Sequence, residues 1–357
     1  MGAIIDNLTG GSPKLEVPGA VRTAARLAID SGLAQHYTPR AGLDALREAI
    51  VAHLEDLDKA PLLPDELAMV SGGQTESLFL VVETLVAKGD LVIAIGDVPD
   101  TAEVAVALAG GTLRRIPHHS RLEARSGWRT ADAAEPNPTV LLIINNSGSS
   151  GPVWGLQALQ ELAAIASAMD AVVLVLEDGI ELTAGSVGQT SAASCSPLRV
   201  RAVRVGGFVA WGLDPWKIGY IVGPAQLVAP LTNLKQGLSI CAPALSQYAA
   251  LAALRECSEW TSVARAEVAA RRSAAMRVLE GSLLRLEQVQ AGWTCVGRCL
   301  PARDSRSLIT FLRQQARVLV DDATRTVGKG GVQITLCQPE ALLSSSLQRV
   351  RDSLERL

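Results

Sequence analysis

The sequence predicts an α/β fold in which a mostly parallel β-sheet lies between helices, followed by a smaller α+β part. Through the first two-thirds of the chain, short apolar runs rich in β-branched residues alternate with segments of helical periodicity. This alternation is typical of a parallel sheet that is covered on both faces. After about Pro243 the pattern changes to a long Ala-, Leu- and Arg-rich tract, followed by strand, helix and strand signals.

The elements of the first part follow from periodicity and from the residues that end each run. Segment 43–54 places apolar residues on one helical face. Gly, Asp or Pro bounds each short apolar run, which favours strands. The predicted strands are 91–95, 140–144, 171–176 and 218–222, and the predicted helices between them are 75–87 and 156–169.

The second part predicts a helical tract that is broken once and then a small α+β arrangement. The tract covers 245–286 with a break near Ser258, and the elements after it are a strand at 293–300, a helix at 307–316 and a strand at 332–336. We therefore predict a large domain at 40–240, and a small domain formed by 1–39 and 241–357.

The composition excludes several classes of protein. Hydrophobic residues make up 48% and charged residues 19%, which is typical of a globular chain. The net charge is −3 without a basic tract, so we expect neither nucleic acid nor a membrane as partner. The first seven residues lack a signal-peptide pattern, and we expect a cytoplasmic protein. The six cysteines are scattered without a histidine cluster, so no metal site is predicted.

Six short motifs occur in order along the chain. They are Tyr-Thr-Pro-Arg-Ala-Gly-Leu at 37–43, Ser-Gly-Gly-Gln at 71–74, Gly-Asp-Leu-Val at 89–92, Asn-Asn-Ser-Gly at 145–148, Glu-Asp at 177–178 and Lys-Ile-Gly-Tyr at 217–220. Together they resemble the landmarks of the class I and II aminotransferases, which are fold-type I enzymes that use pyridoxal phosphate. The resemblance covers nearly the whole chain. It implies a fold-type I architecture, a homodimer and a small-molecule substrate.

The resemblance implies cofactor-binding roles for five residues. Gly72, Gly73 and Gln74 would hold a phosphate with the N–H groups at the start of a helix. Lys217 stands where the family has a phosphate-binding arginine, and Tyr37 resembles a tyrosine that reaches the neighbouring subunit's phosphate site. The alternative interpretation is an ordinary glycine turn and an exposed lysine.

Two further residues are the candidate catalytic groups. In the family, the aspartate at the position of Asp178 pairs with the pyridine nitrogen, so that the ring can accept electrons. Asn145 resembles the asparagine that bonds the ring oxygen. Both follow predicted strands, whose carboxyl ends are where open parallel sheets bind ligands. The alternative interpretation is a capping residue for Asp178 and a turn residue for Asn145.

The Schiff-base lysine of the family has no counterpart in this chain. Counting back seven or eight residues from Lys217 reaches Ala210 or Val209, and neither carries an amine. The tyrosine that follows the family aspartate is Ile180 here, and the aromatic residue that stacks on the ring is near Pro99. These replacements predict a degenerate active site.

The predicted substrate pocket contains replaced residues. The arginine that grips a substrate carboxylate in the family aligns with Gln333, and Trp211 and Trp216 stand near the missing lysine. We expect the two indoles and Gln333 to line a reshaped apolar pocket.

Three hypotheses about function remain open from the sequence. The first is an enzyme that works without cofactor or with non-covalently bound pyridoxal phosphate, in specialised biosynthesis and without transamination. The second is a non-catalytic subunit that supports an active aminotransferase. The third is an ordinary pyridoxal-phosphate aminotransferase in which Lys217 is the Schiff-base lysine.

Overall fold

A computed structural model describes residues 5–63, 65–116, 139–147, 154–183, 190–287, 292–301 and 304–356. These residues form two compact units. The large unit contains the described residues of 17–147 and 154–260, and the small unit contains those of 5–16 and 261–356.

The large unit is built on a seven-stranded sheet with the order β2-β8-β7-β6-β5-β3-β4. Neighbouring strands run parallel except at β8, which is antiparallel to both β2 and β7. The predicted mostly parallel sheet is thereby confirmed. The strands are β2 (Glu66–Ser71), β3 (Leu91–Ile95), β4 (Thr112–Ile116), β5 (Thr139–Asn145), β6 (Val172–Leu176), β7 (Ala202–Gly207) and β8 (Gly219–Pro224).

Helices accompany this sheet along the chain. The helix predicted at 156–169 is found with the same bounds, and the one predicted at 75–87 is found at Gln74–Leu85. The described helices of the large unit are α1 (Gly19–Asp30), α2 (Asp44–Asp58), α3 (Gln74–Leu85), α4 (Thr101–Leu108), α5 (Leu156–Met169), α6 (Ser196–Arg199), α7 (Ala225–Leu238) and α8 (Ala244–Glu256).

The core lies on both faces of the sheet. Side chains alternate along a strand, so that in β3 Val92 and Ala94 join one apolar cluster while Leu91, Ile93 and Ile95 join another. All five residues are buried. Burial of each such aliphatic side chain contributes about 1.5–3 kcal/mol to folding, which explains why the strands read as continuous apolar runs.

The small unit has an antiparallel sheet of order β12-β13-β10-β9 and a separate parallel pair, β1 with β11. Apolar residues of its strands and helices form one large buried cluster, and Val296, Ala323 and Val327 form a second, small one. Its strands are β1 (Asp6–Asn7), β9 (Leu284–Leu286), β10 (Thr294–Cys299), β11 (Val318–Leu319), β12 (Asp321–Asp322) and β13 (Gly331–Thr335). Its helices are α9 (Trp260–Leu279), α10 (Ser305–Gln315), α11 (Thr324–Val327) and α12 (Glu340–Leu354).

The unit boundaries differ from those predicted at residues 40 and 240. Helices α1 and α8 pack against each other, and α8 also packs against α2. Both α1 and α8 therefore belong to the large unit, which extends from residue 17 to residue 260. In the described residues, every helix is too short or too polar to cross a membrane.

Candidate functional site

Five strands of the large sheet place polar residues and glycines at one edge. Asn145 ends β5, Asp178 follows β6 by two residues, and Gly207 ends β7. The antiparallel strand β8 begins there with Gly219, which is opposite Gly207 on one side and Ser71 of β2 on the other. This edge, called the site edge below, collects the carboxyl ends of parallel strands, where ligands bind in such sheets.

Glycines at the site edge allow the backbone to pack closely. A Cβ atom on Gly207 would lie 2.2 Å from Asp178 Oδ1. A Cβ atom on Gly219 would lie 2.7 Å from the carbonyl oxygen of Gly206 and 2.9 Å from the Cα of Gly73. These are steric overlaps, so the close approach of β2, β8, β7 and the Asp178 loop depends on glycine.

One oxygen of the Asp178 carboxyl is enclosed and has no partner within the described part of the chain. This atom, Oδ1, is buried and has no hydrogen bond among the residues that the structure describes. Burial raises the pKa of this carboxyl well above its usual value; the nearby carboxylates of Asp214 and Glu181 add to the rise, and Lys217 opposes it. An enclosed acceptor without a donor costs free energy, so this atom is suited to a ligand that brings an N–H group.

The predicted phosphate turn is present but its first N–H group is already used. Gly73 has a φ of +91° and precedes α3, which begins at Gln74. The N–H of Gly72 donates a hydrogen bond to the Glu76 carboxylate. Helix geometry leaves the first N–H groups of α3 without helical acceptors, and they remain the elements of an anion site.

Sequence reasoning missed the groups that hold Glu76. Lys235 Nζ of α7 donates to both Glu76 oxygens at 2.8 Å, and Ser239 Oγ lies 2.7 Å from Glu76 Oε1. The Lys235 side chain is completely buried. A glutamate in the first turn after a glycine pair was a visible signal, whereas nothing local indicated the lysine 159 residues further on.

The segment in which the sequence predicts the loss of the family lysine is apolar and buried. Val209, Ala210 and Trp211 form a single helical turn directly after β7, and all three are buried. Lys217, the one lysine between β7 and β8, is exposed and adopts a left-handed conformation with a φ of +55°. Its positive charge opposes the rise in the pKa of the Asp178 carboxyl.

The structure corrects the prediction that Trp211 lines a substrate pocket. Its indole is 1% exposed, and Nε1 donates to the Cys257 carbonyl at 2.9 Å. The rings of His53 and Phe208 pack against it at centroid distances of 5.5 and 5.8 Å. Trp211 is therefore a core residue, whereas Trp216 is partly exposed.

Asn145 lies at the site edge, but its amide is engaged in a turn. Nδ2 donates to the Asp97 carbonyl at 2.9 Å, and Oδ1 accepts from the Ser147 N–H at 3.0 Å and from Ser147 Oγ at 2.6 Å. These contacts match the alternative interpretation of Asn145 as a turn residue.

The two remaining predicted residues are not on the strands of the large sheet. Tyr37 follows α1 in a loop, and its side chain is 81% exposed. Gln333 belongs to the small unit, where it is on β13 opposite Val296 and Asp321. Among the described residues, no group of three or more His, Cys, Asp or Glu side chains is placed so that it could hold a metal ion.

The chain is similar to known aminotransferases in both sequence and structure. The methionine aminotransferase of Escherichia coli is 30% identical over 254 residues, which cover 70% of this chain and 64% of that protein. The aromatic-amino-acid aminotransferase 2 of Thermococcus litoralis is 24% identical over 97% of this chain and 90% of its own length. The solved structure of N-succinyldiaminopimelate aminotransferase from Mycobacterium tuberculosis superposes with a TM-score of 0.89 at 25% identity, covering 98% of this chain and 93% of that chain.

The family assignment follows from the extent of the match. The chain spans just under two-thirds of the length of three curated relatives, 64% or 65%. The model of the family described as aminotransferase class I and II matches residues 4–344. The fold-type I architecture expected from the sequence is confirmed. The chain belongs to the class I and II aminotransferase family.

Proposed function

We propose that this chain binds pyridoxal phosphate, or an adduct of it, without a covalent bond and acts on a small molecule other than by ordinary transamination. The observation that carries the proposal is that Asp178 and Val209 occur together, one residue with an enclosed carboxyl oxygen and the other without an amine. No donor in the described ranges reaches the enclosed Oδ1 of Asp178, and the turn after β7 has Val209 and Ala210 where the resemblance implies the family lysine.

The residues at the site edge fit the ring of such a cofactor. A protonated ring nitrogen would give Asp178 Oδ1 the donor that it lacks, and the positive ring would favour the ionised carboxylate. The first N–H groups of α3, beginning at Gln74, would face the phosphate, and Lys217 would add positive charge. When bound, the cofactor supplies an electron-withdrawing ring for the reacting substrate atom.

The same residues do not fit a covalent attachment. A lysine amine would condense with the cofactor aldehyde and release water, and a buried aliphatic side chain at Val209 has no group for this step. The site also lacks that amine as a base for moving protons on the substrate. Asp178, whose burial raises its pKa, is the candidate for holding a proton at the ring nitrogen.

Absorbance spectroscopy with added pyridoxal phosphate, followed by borohydride reduction and mass spectrometry, tests the proposal. We expect cofactor that dissociates on dialysis and no reduced adduct on any lysine, and we expect Asp178→Asn to weaken binding. A reduced adduct on Lys217 would show instead an ordinary aminotransferase. Binding that is the same in Asp178→Asn would also sink the proposal.

Restoring the amine provides a gain-of-function version of this experiment. We predict that Val209→Lys forms a borohydride-reducible adduct at residue 209, because the side chain follows β7 at the expected position. Val209→Met is the matched control, since methionine has similar length and no amine. If Val209→Lys folds and binds the cofactor but leaves it unattached, the assignment of residue 209 to the lysine position is wrong.

We propose further that the protein is a homodimer. The exposed side chain of Tyr37, together with the exposed apolar side chains of Leu27 and Leu33 in and after α1, supports this part of the proposal. Light scattering is expected to give twice the mass of the chain. A monomer that pairs only when a lysine-bearing relative is added would support the hypothesis of a non-catalytic subunit.

A further inference from the structure

A carboxylate of the protein itself lies at the start of α3. Glu76 accepts the N–H of Gly72, and it also contacts Lys235 Nζ at 2.8 Å and Ser239 Oγ at 2.7 Å. A Cβ atom on Gly72 would lie 3.1 Å from Glu76 Oε2, so the carboxylate packs directly on the turn.

Glu76 and Lys235 form an ion pair in which the two opposite charges nearly cancel. Burial opposes the ionisation of Glu76, but hydrogen bonds from Lys235, Gly72 and Ser239 outweigh it and hold its pKa below the usual value. Lys235 is fully buried, and its ammonium group is matched by this one carboxylate and by Ser239. Removal of either partner would leave a charge of one sign beside the turn.

We propose that Glu76 competes with phosphate for the start of α3, and that Lys235 sets the charge balance, so that the pair controls how strongly the site prefers phosphate-bearing ligands. This inference rests on the proposed function, which places a phosphate at this turn. Glu76 is a specificity-determining residue in this role because it occupies the Gly72 N–H and presents a negative charge to an incoming anion.

An independent observation indicates that the same edge takes a ligand. Asp178 Oδ1 is enclosed without a hydrogen-bond partner among the described residues, and it lies against Gly207. Gly207 is opposite Gly219 on β8, and Gly219 is opposite Ser71, the residue before the turn. Strands β7, β8 and β2 are therefore adjacent, and they connect the region of Asp178 Oδ1 with the turn that Glu76 occupies.

A merely structural role and a competing role predict different results for the two partners. If the pair only stabilises the turn, loss of either side chain weakens phosphate binding. If Glu76 competes, Glu76→Gln removes a repelling charge and leaves Lys235 positive, so phosphate binds more tightly. Lys235→Met leaves Glu76 negative, and phosphate then binds less tightly. The proposal therefore predicts that the two substitutions change the affinity for phosphate in opposite directions.

The experiment measures the dissociation constants of pyridoxamine phosphate and of pyridoxamine for each variant by fluorescence titration. The ratio of the two constants isolates the contribution of the phosphate from that of the ring. Glu83→Gln, on the exposed side of the same helix, and Lys88→Met, at another exposed position, are the matched charge controls. The double variant Glu76→Gln/Lys235→Met leaves no single buried charge, and it is the variant to use if a single variant fails to fold.

We expect Glu76→Gln to raise the preference for phosphate about tenfold, which is the size of one charged hydrogen bond. Lys235→Met should lower it by a similar factor, and the double variant should lie above the wild type because a neutral amide oxygen holds the Gly72 N–H less strongly than the carboxylate does. The inference is overturned if Glu76→Gln, or the double variant in its place, leaves the preference unchanged or lowers it.

The proposed function can fail separately in this experiment. If the wild type binds neither ligand while Glu76→Gln binds the phosphate-bearing one, competition by Glu76 is supported and the proposed use of the cofactor by the native chain is not. If neither protein binds either ligand, both proposals are wrong.

Discussion

Two consecutive carboxylates after β6 have opposite environments. Glu177 is buried and fully partnered: Oε1 accepts from Asn146 Nδ2 at 3.0 Å and from the Ala192 N–H at 2.9 Å, and Oε2 accepts from Arg204 Nε at 2.8 Å. Asp178 keeps an enclosed oxygen that none of the described residues contacts by a hydrogen bond. The fold therefore supplies hydrogen-bond donors to both oxygens of the buried Glu177 carboxylate. The described residues supply no donor to Oδ1 of its neighbour Asp178.

The difference in hydrogen bonding indicates a structural role for Glu177 and a ligand-binding role for Asp178. Arg204 is also buried, and it is held by Asp58 at 2.8 and 3.0 Å on the side away from its bond to Glu177. Such networks are stable only when every member is paired. Asp178 Oδ1 has no hydrogen-bond donor among the residues described, and burial of this carboxyl raises its pKa well above the usual value. A raised pKa of this kind at a sheet edge is typical of a functional site.

The largest expected effect comes from breaking the Glu177 network. We predict that Glu177→Ala lowers the free energy of unfolding by about 3–5 kcal/mol, because Arg204 loses one of its two buried carboxylate partners. Urea denaturation followed by circular dichroism measures the change. Glu177→Gln, which keeps an acceptor oxygen, should cost less. Equal stability of Glu177→Ala and the wild type would show that the network contributes little to folding.

A smaller effect is expected from filling the space beside Asp178. Gly207→Ala would place a Cβ atom 2.2 Å from Asp178 Oδ1, and we predict a loss of about 1–3 kcal/mol in unfolding free energy together with weakened cofactor binding. Gly237→Ala on α7 is the control, since its Cβ atom would meet nothing within 4 Å. If Gly207→Ala binds the cofactor as the wild type does, the close approach has no role in the site.

The smallest effect concerns Asp178 itself and has a defined pH dependence. Because the folded pKa of Asp178 is raised above 3.8, its favourable contribution is present at low pH and is lost as the pH rises through the folded pKa. We predict that Asp178→Asn, measured without ligand, is more stable than the wild type at neutral pH by on the order of 1 kcal/mol.

The stability of the wild type and of Asp178→Asn, compared between pH 4 and 8, checks this prediction. The difference should grow with pH and then level off. Asp30→Asn, at an exposed position of α1, controls for the general effect of removing a negative charge. A wild type that gains stability over Asp178→Asn as the pH rises would contradict the raised pKa.

Much of the fold was predictable because the strands are buried on both faces. Continuous apolar runs located β3, β5 and β6 within one residue at each end. Strand β7 was missed because Arg204 interrupts its apolar pattern. That arginine is tolerated because Asp58 lies 146 residues away in the sequence and yet contacts it. A pairing at this separation leaves no local signal.

The candidate site was predictable in part. The position of Asp178 followed from its place after an apolar strand, and the glycine turn before α3 followed from the residues themselves. The surroundings of Trp211 and Glu76 could not be predicted, because each depends on residues from another part of the chain. Cys257 and His53 contact the indole, and Lys235 binds the Glu76 carboxylate.

The sequence by itself determined the alternation of strands and helices, the family resemblance and the absence of an amine at Val209, since these are properties of residue type and order. Only the tertiary structure decided that Glu177 is fully hydrogen-bonded while Asp178 Oδ1 has no donor in the described part of the chain, and that Lys235 is buried against Glu76. The physical reason is that hydrogen-bond satisfaction and desolvation depend on which distant segments meet, and the free energy of a buried charge is set by those neighbours.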